Sequence, residues 1–401
     1  MERVYIVAAK RTPIGSFNGS LASLSAVDLG VHSVKAALQQ AKISPDCIDE
    51  VIVGNVLTGG SGMGPGRQVA IKSGIPDTVP AYTLNMICGS GMKAIINGAT
   101  SIRAGDAEIV LTCGMESMSN APFVTKGSIR SGYRMGHQQI EDTILKDGLT
   151  DAFNHYHMGI TAENIARKFN ISREEQDQFA LSSQKKATKA IKNGFFKDEI
   201  APITISTRKR TFEFCDDEFP KFDCTLEKLN ALRPAFEKEG TVTAGNSSGI
   251  NDGSSAILLA SESAIKRHNL TPLAELVEYG QGGVPPEVMG LGPVPAIINT
   301  LNKADIDIKN IDVFELNEAF ASQSIGVIRS LTQKYDIEDE WLLNRTNLGG
   351  GAIALGHPIG VSGNRIVTTL LYHLQRTNNE LGLASLCIGG GMGTAVILKR
   401  C

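Results

Sequence analysis

Apolar runs of strand length alternate along this chain with longer segments in which apolar positions recur at helical spacing. The strand-like runs are residues 4–8, 50–53, 109–112, 311–315, 385–388 and 394–398. The helix-like segments are 26–40, 92–103, 163–169, 173–193, 319–331 and 363–375. Mixed alternation of this kind predicts an α/β fold with covered sheets. Glycines cluster where strand-like runs end, at 59–66, 89–91, 349–351 and 389–393, where the backbone must turn or let a ligand approach.

The two ends of the chain look like versions of each other. In the first, a strand runs into Asn55, Cys88-Gly89-Ser90-Gly91 opens a helix, and a second strand ends at Cys113-Gly114. In the second, a strand runs into Asn317, His357-Pro358-Ile359-Gly360 precedes a helix, and a strand ending at Cys387 leads into Gly389-Gly390-Gly391. This order predicts a duplicated unit. Between the two, from about Ser119 to Ser248, the chain is more charged and more helical. It carries Arg130, Arg134, Lys146, Arg167, Lys168, Arg208, Lys209 and Arg210. An insertion at the edge of an α/β sheet commonly shapes a ligand site.

Composition narrows the class. The 401 residues are 42% hydrophobic and 20% charged, which suits two or three cooperating soluble units. A net charge of −3 leaves no basic field for nucleic acid or a membrane surface. The N-terminus shows no signal-peptide pattern and no apolar stretch is long enough to span a bilayer, so a cytoplasmic location is expected. The seven cysteines are odd in number and scattered, without Cys-x-x-Cys spacing. Neither a disulfide framework nor a metal site is expected, and some thiols are left for chemistry.

Four residues are candidates for that chemistry. Cys88 stands between a strand and a helix, where N-terminal N–H groups and the helix dipole favour thiolate; it also reads as a buried structural cysteine at a turn. His357, held before proline in a glycine-rich turn, can as neutral imidazole take a thiol proton; it also reads as a satisfied turn histidine. Cys387, beside four glycines in six residues, can act as an acid–base thiol or simply fill a buried strand. The Asn317 amide can hold a water or an oxyanion, or cap the following helix, or both.

Together these motifs resemble the thiolase family, and its biosynthetic branch in particular. Cys88-Gly89-Ser90-Gly91, Asn317-Glu318-Ala319-Phe320, Gly350-Gly351-Ala352-Ile353-Ala354-Leu355-Gly356-His357-Pro358 and Cys387-Ile388-Gly389-Gly390-Gly391-Met392-Gly393 occur in the family's order. The likeness covers nearly the whole chain. It implies a thiolase fold of duplicated βαβαβαββ halves in five αβαβα layers. The N-terminal half would be 1–118, completed by 249–270; the inserted loop domain, 119–248; the C-terminal half, 271–401.

The resemblance also implies the reaction: reversible condensation of two acetyl-CoA molecules to acetoacetyl-CoA and CoA through an acetyl-cysteine, with ping-pong kinetics. Cys88 would be the nucleophile, His357 its activator, and Cys387 the base that removes a methyl proton. One oxyanion hole would be His357 with a water on Asn317, and another the backbone N–H groups of Cys88 and Gly389. His157, Met158, Leu149, Met289, Ala319 and Phe320 would line the acyl pocket and pantetheine channel, and Ser248 would bind the pantetheine arm. CoA thioesters would be substrates, with no cofactor, and the protein would form homodimers or homotetramers.

Three departures stand out. Lys221 replaces an arginine the family often has near the CoA nucleotide, losing the planar fork. Residues 331–345 are longer than usual, predicting an extended surface loop. Gly349 stands where asparagine is expected. Other readings are a degradative 3-ketoacyl-CoA thiolase, a non-catalytic acyl-CoA carrier, and a Cys–His hydrolase that would not need Cys387.

Overall fold

A computed structural model describes residues 2–133, 135–206 and 210–401. Arg134, Arg208 and Lys209 lie outside the described residues. The first half runs β1 (Val4–Arg11), α1 (Ala26–Ala41), β2 (Glu50–Gly54), α2 (Pro65–Lys72), β3 (Ala81–Leu84), α3 (Ser90–Ala104) and β4 (Ile109–Ser117). The insertion contributes α4 (Met158–Phe169) and α5 (Arg173–Lys192), followed by β5 (Asn251–Ser261). The second half runs β6 (Ala274–Gly283), α6 (Pro293–Ala304), β7 (Val313–Leu316), α7 (Ala321–Tyr335), α8 (Ser362–Thr377), β8 (Leu381–Ile388) and β9 (Met392–Arg400).

The strands lie in the order β7-β8-β9-β6-β1-β5-β4-β2-β3. Read outward from the β6–β1 junction, the halves match strand for strand. In place of a fifth strand, the second half has a parallel bridge from Phe314 to Thr346 where the first has β3 beside β2. The junction is narrow: Tyr5 pairs with Glu275 and Ile6 with Ala274. It joins the two expected sheets into one hydrogen-bonded path.

Alternate residues of each strand enter different cores. Ile52, Val110, Ile257 and Leu259 face inward with Ala384, Leu386, Val396 and Leu398, packing on α3 and α8 between the halves. Val51, Val53, Leu111 and Leu258 face α1 and α2 on one outer side. Leu383, Ala395 and Ile397 face α6 and α7 on the other. Five layers result, and the inner strands other than β6 are largely buried on both faces, which is why most of them read as continuous apolar runs. β5 is wholly buried yet carries Asn251, Asp252 and three serines, and that polar content masked it as a strand in the sequence.

Among the described residues, the chain between β4 and β5 adds no strand to the large sheet; it forms two separate hairpins and the helices α4 and α5. A capping box at Ser172 and Glu175 starts α5. The expectation of a surface loop over 331–345 is not met. Residues Asp339–Leu343 form a short helix, Leu342 is fully buried, and Trp341 packs edge-on against Phe314. Gly349 has a steric reason. A Cβ there would lie 3.1 Å from Phe196 and 3.2 Å from His373, closer than ordinary contact, so an asparagine would require those rings to shift.

Candidate active site

Cys88 lies on a strained turn. Ile87 has φ 47°, a conformation that a β-branched residue avoids. Side chains on both sides hold the turn: Asn85 Oδ1 accepts from the Ile87 N–H at 2.9 Å, and Ser90 Oγ accepts from the Met86 N–H at 2.8 Å. The helix begins at Ser90, so the thiol stands just before it. The N–H groups of Gly389 and of Cys88 itself point at the sulfur.

Burial nevertheless outweighs these dipoles and pushes the Cys88 thiol up to about 11, with buried Glu116 adding to the effect. Desolvation of the charged form thus offsets the helix N-terminus and N–H groups that favour thiolate here. Cys387, at the end of β8, is 1% exposed and is pushed up further by burial and by the neighbouring Cys88. The two thiols lie close enough for charge on Cys88 to act on Cys387, and both are tuned away from neutrality.

His357 is buried and its pKa is lowered to about 4, by burial first and by Arg365 second. The ring is neutral. Its Nδ1 lies 2.6 Å from Ser362 Oγ and 3.4 Å from Asn317 Nδ2. Ser362 also reaches the Pro358 carbonyl at 3.1 Å. Its hydroxyl can donate to Nδ1, or donate to that carbonyl and accept from Nδ1. Either tautomer is thereby supported, leaving Nε2 free as proton acceptor or donor. The His357 backbone N–H donates to Asn251 Oδ1 at 2.9 Å. Gly356, at φ 101°, is forced beside Asn251; a Cβ there would lie 2.5 Å from its Cγ.

Asn317 is not a helix cap: α7 begins at Ala321, with Phe320 at the cap position. Its Nδ2 faces His357, and its buried Oδ1 has no protein partner among the described residues. The amide is thus free to hold a further polar group.

Met158, Met289, Ala319 and Phe320 pack with Cys387 in one apolar cluster. His157 caps α4, its Nδ1 accepting from the Gly159 N–H at 3.0 Å, so that its proton resides on Nε2. The ring stacks on Phe236 at 4.6 Å, and Phe236 meets Phe320 edge-on. Leu149 joins Ile87 and Cys88 in an adjoining cluster. Ser248 is half-buried, its N–H donating to the Ala319 carbonyl at 2.9 Å. Lys221 stands apart. It is exposed, lies 5.1 Å over Phe219, and lines an outer cavity with Leu232, Ala244 and Gly245. Among the described residues, no group of three or more His, Cys, Asp or Glu is placed to hold a metal ion.

Three residues of the site escaped the sequence reading. Ser362 and Asn251 position His357. Glu116 accepts from the N–H groups of Val56, Leu57 and Gly360 and from Asn55 Nδ2, fastening the two repeated turns together. Its signal was a carboxylate ending an otherwise apolar strand, next to a marked Cys-Gly pair.

The arrangement can support attack by a half-buried thiol on a carbonyl, with converging N–H donors and two further proton carriers. Known proteins agree with the geometry. The thiolase N-terminal domain model matches residues 4–263 and the thiolase C-terminal domain model residues 270–400. The chain is 52% identical over 400 residues to a protein named acetyl-CoA acetyltransferase from Escherichia coli K12, covering 100% of both. It is similar to the crystal structure of the Bacillus anthracis acetyl-CoA acetyltransferase, with a TM-score of 0.95 at 43% identity, covering 100% of this chain and 99% of that one. It is also similar to human mitochondrial 3-ketoacyl-CoA thiolase in complex with CoA, with a TM-score of 0.93 at 44% identity, covering 100% and 98%. With both domain models matched across nearly its whole length, the chain belongs to the thiolase family.

Proposed function

We propose that the chain is an acetyl-CoA C-acetyltransferase that condenses two acetyl-CoA molecules to acetoacetyl-CoA and CoA. The observation that carries this reading is Cys387, close enough to Cys88 to feel its charge, packed among Met158, Met289 and Phe320; a neutral His357 held beside Asn317 supports it. Bulky apolar walls leave room for a short acyl group.

His357 takes the Cys88 proton as the sulfur attacks the thioester carbonyl. The carbon–sulfur bond to CoA breaks, and the departing sulfur takes the Cys387 proton. The protein then holds an acetyl-Cys88, an imidazolium and a Cys387 thiolate. A second acetyl-CoA loses a methyl proton to Cys387, and the resulting carbanion attacks the acetyl carbonyl. The bond to Cys88 breaks, and His357 returns its proton to that sulfur. The N–H groups of Cys88 and Gly389 stabilise the oxyanion on the acyl-enzyme; His357 Nε2 and a group held by Asn317 stabilise the one on the incoming thioester. CoA enters past Ser248 and His157, with its nucleotide end at Lys221. We place the enzyme in the cytoplasm: among the described residues, no helix is long and apolar enough to cross a membrane. Assembly into dimers or tetramers is favoured by the exposed apolar residues Phe123 and Ile140 on the hairpin after β4.

A degradative 3-ketoacyl-CoA thiolase is the second reading. A cavity of ≈ 500 Å³ lined by Ile87, Met158 and Gly389 adjoins the site and favours it. An assay of CoA release from acetyl-CoA, beside thiolysis of acetoacetyl-CoA and of a ten-carbon 3-ketoacyl-CoA, decides. The proposal expects condensation and preference for the four-carbon substrate; strong preference for the ten-carbon one overturns it.

A further inference from the structure

A second groove opens on the outer face of α5. It has a volume of ≈ 270 Å³ and is lined by Lys185, Lys189, Lys192, Lys221 and Phe222, with no carboxylate in its wall. The three helix lysines are spaced i, i+4 and i+7, which sets them on one face. Lys221 comes from a separate loop, docked on the helix by its N–H bond to buried Gln184 Oε1 at 2.8 Å. Lys186 is turned inward to the Thr346 carbonyl at 2.9 Å, so the lysines of this helix divide by face.

The bland explanation of lysines near a helix C-terminus is complementation of its dipole. That accounts for Lys189 and Lys192, in the last turn. It does not account for Lys185, one turn earlier, or for Lys221, from another element. Among the described residues, none of the four forms a salt bridge, although the chain as a whole is acidic; Asp223, on the same loop, is engaged by Lys228. Lys221 shares the field of Asp223 with Lys228, but the three helix lysines are held together with no carboxylate paired to them among the described residues; such charges repel one another, and an anionic ligand relieves that repulsion.

The position of the groove indicates which anion. It shares Gln184, Lys221 and Cys224 with the apolar cavity of ≈ 310 Å³ lined by Leu232, Ala244 and Gly245. From there residues 244–248 lead to Ser248, bonded to Ala319 beside the acyl cluster. An apolar slot suited to a flat base thus opens onto a cationic groove at the end away from the thiols.

We infer that this groove binds the 3′-phosphate of CoA, so that Lys185, Lys189 and Lys192, with Lys221, let the enzyme distinguish CoA thioesters from their dephospho forms. The inference rests on the proposal that acetyl-CoA is the substrate. Lysines serve here as mobile point charges, which suits a phosphate monoester at a solvent-exposed site.

The test compares the KM for acetyl-CoA and for acetyl-dephospho-CoA in the native enzyme and in the Lys185→Ala/Lys189→Ala/Lys192→Ala variant. The triple substitution is expected to raise the acetyl-CoA KM by roughly tenfold at low salt, and kcat and the dephospho KM stay unchanged. Added salt should shrink the difference by screening. Adenosine 3′,5′-bisphosphate should inhibit the native enzyme more strongly than the variant. No change in KM, or equal loss with both thioesters, overturns the inference; equal loss would assign the lysines to the diphosphate or to folding. Failure of the native enzyme to condense acetyl-CoA would instead overturn the functional proposal, so the two failures are distinguishable.

Discussion

At the scale of single residues, the site works against the usual way of activating a thiol. Cys88 is held near 11 although two N–H groups face its sulfur. Thiolate therefore forms when a base is at hand, not at rest. Its alkylation by iodoacetamide should rise about tenfold per pH unit from 7 to 10. A plateau near pH 8 would show a lower pKa. His357 sets the acid limit. Between the unfolded value of roughly 6.5 and the folded value of about 4, the unfolded chain binds more protons. Its contribution to stability is present above the higher value and is lost as pH falls through the lower one. Condensation should likewise cease as the ring protonates near pH 4, because imidazolium cannot take a proton. Ser362→Ala should lower kcat, about tenfold, without changing KM for acetyl-CoA, since it removes the Nδ1 partner rather than a substrate contact. Cys387→Ala should retain a radiolabelled acetyl group on Cys88 while condensation falls roughly 10²–10⁴-fold. Full condensation by that variant would return the Cys–His hydrolase reading.

At the scale of elements, glycines bring the reactive groups together. The central helices α3 and α8 meet at their first turns. A Cβ on Gly91 would lie 2.8 Å from the Asn364 nitrogen, and one on Gly363 would lie 2.5 Å from the Met92 nitrogen. Both obstacles are backbone, which cannot swing aside. Cys88 precedes one helix and His357 the other, so the crossing sets their separation. Gly91→Ala and Gly363→Ala should each lower unfolding free energy by roughly 1–3 kcal/mol. They should also depress kcat under conditions where the fold is intact, as read from denaturant titration beside the assay. Helices α1, α3, α5, α7 and α8 and strands β1, β2, β4, β8 and β9 were legible in the sequence through their apolar period, whereas the inner strands β5 and β6 and the helix α6 were not. The five residues Asp339–Leu343 were not: so short a segment shows no period, and only contact with Phe314 reveals that Trp341 packs inward.

At the scale of the whole molecule, the insertion is tied to the first half by a buried ion cluster. Arg11 on β1 is 1% exposed and holds Glu199 at 2.7 Å and both oxygens of Asp217 at 2.7 and 2.9 Å. Removing one partner of such a cluster strands the opposite charges without water. Arg11→Ala should therefore cost about 3–5 kcal/mol in chemical denaturation. If Phe123 and Ile140 are interface residues, replacing both by aspartate should lower the mass measured by light scattering while the monomer stays folded; unchanged mass would remove that hairpin from the interface.

The sequence by itself determined the local chemistry. Contiguous motifs carry the residue types and turns of Cys88, His357 and Cys387, and apolar periodicity carries the layered α/β plan with its duplicated order. Tertiary structure decided what those groups are. Whether Cys88 rests as thiol or thiolate depends on how completely other elements exclude water from it. Whether His357 can donate as well as accept depends on Ser362 and Asn317, brought to one nitrogen from two elements. The N–H groups of Cys88 and Gly389 converge although 301 residues separate them along the chain. Desolvation and convergence are properties of packing between distant segments, and no local pattern of residues records them.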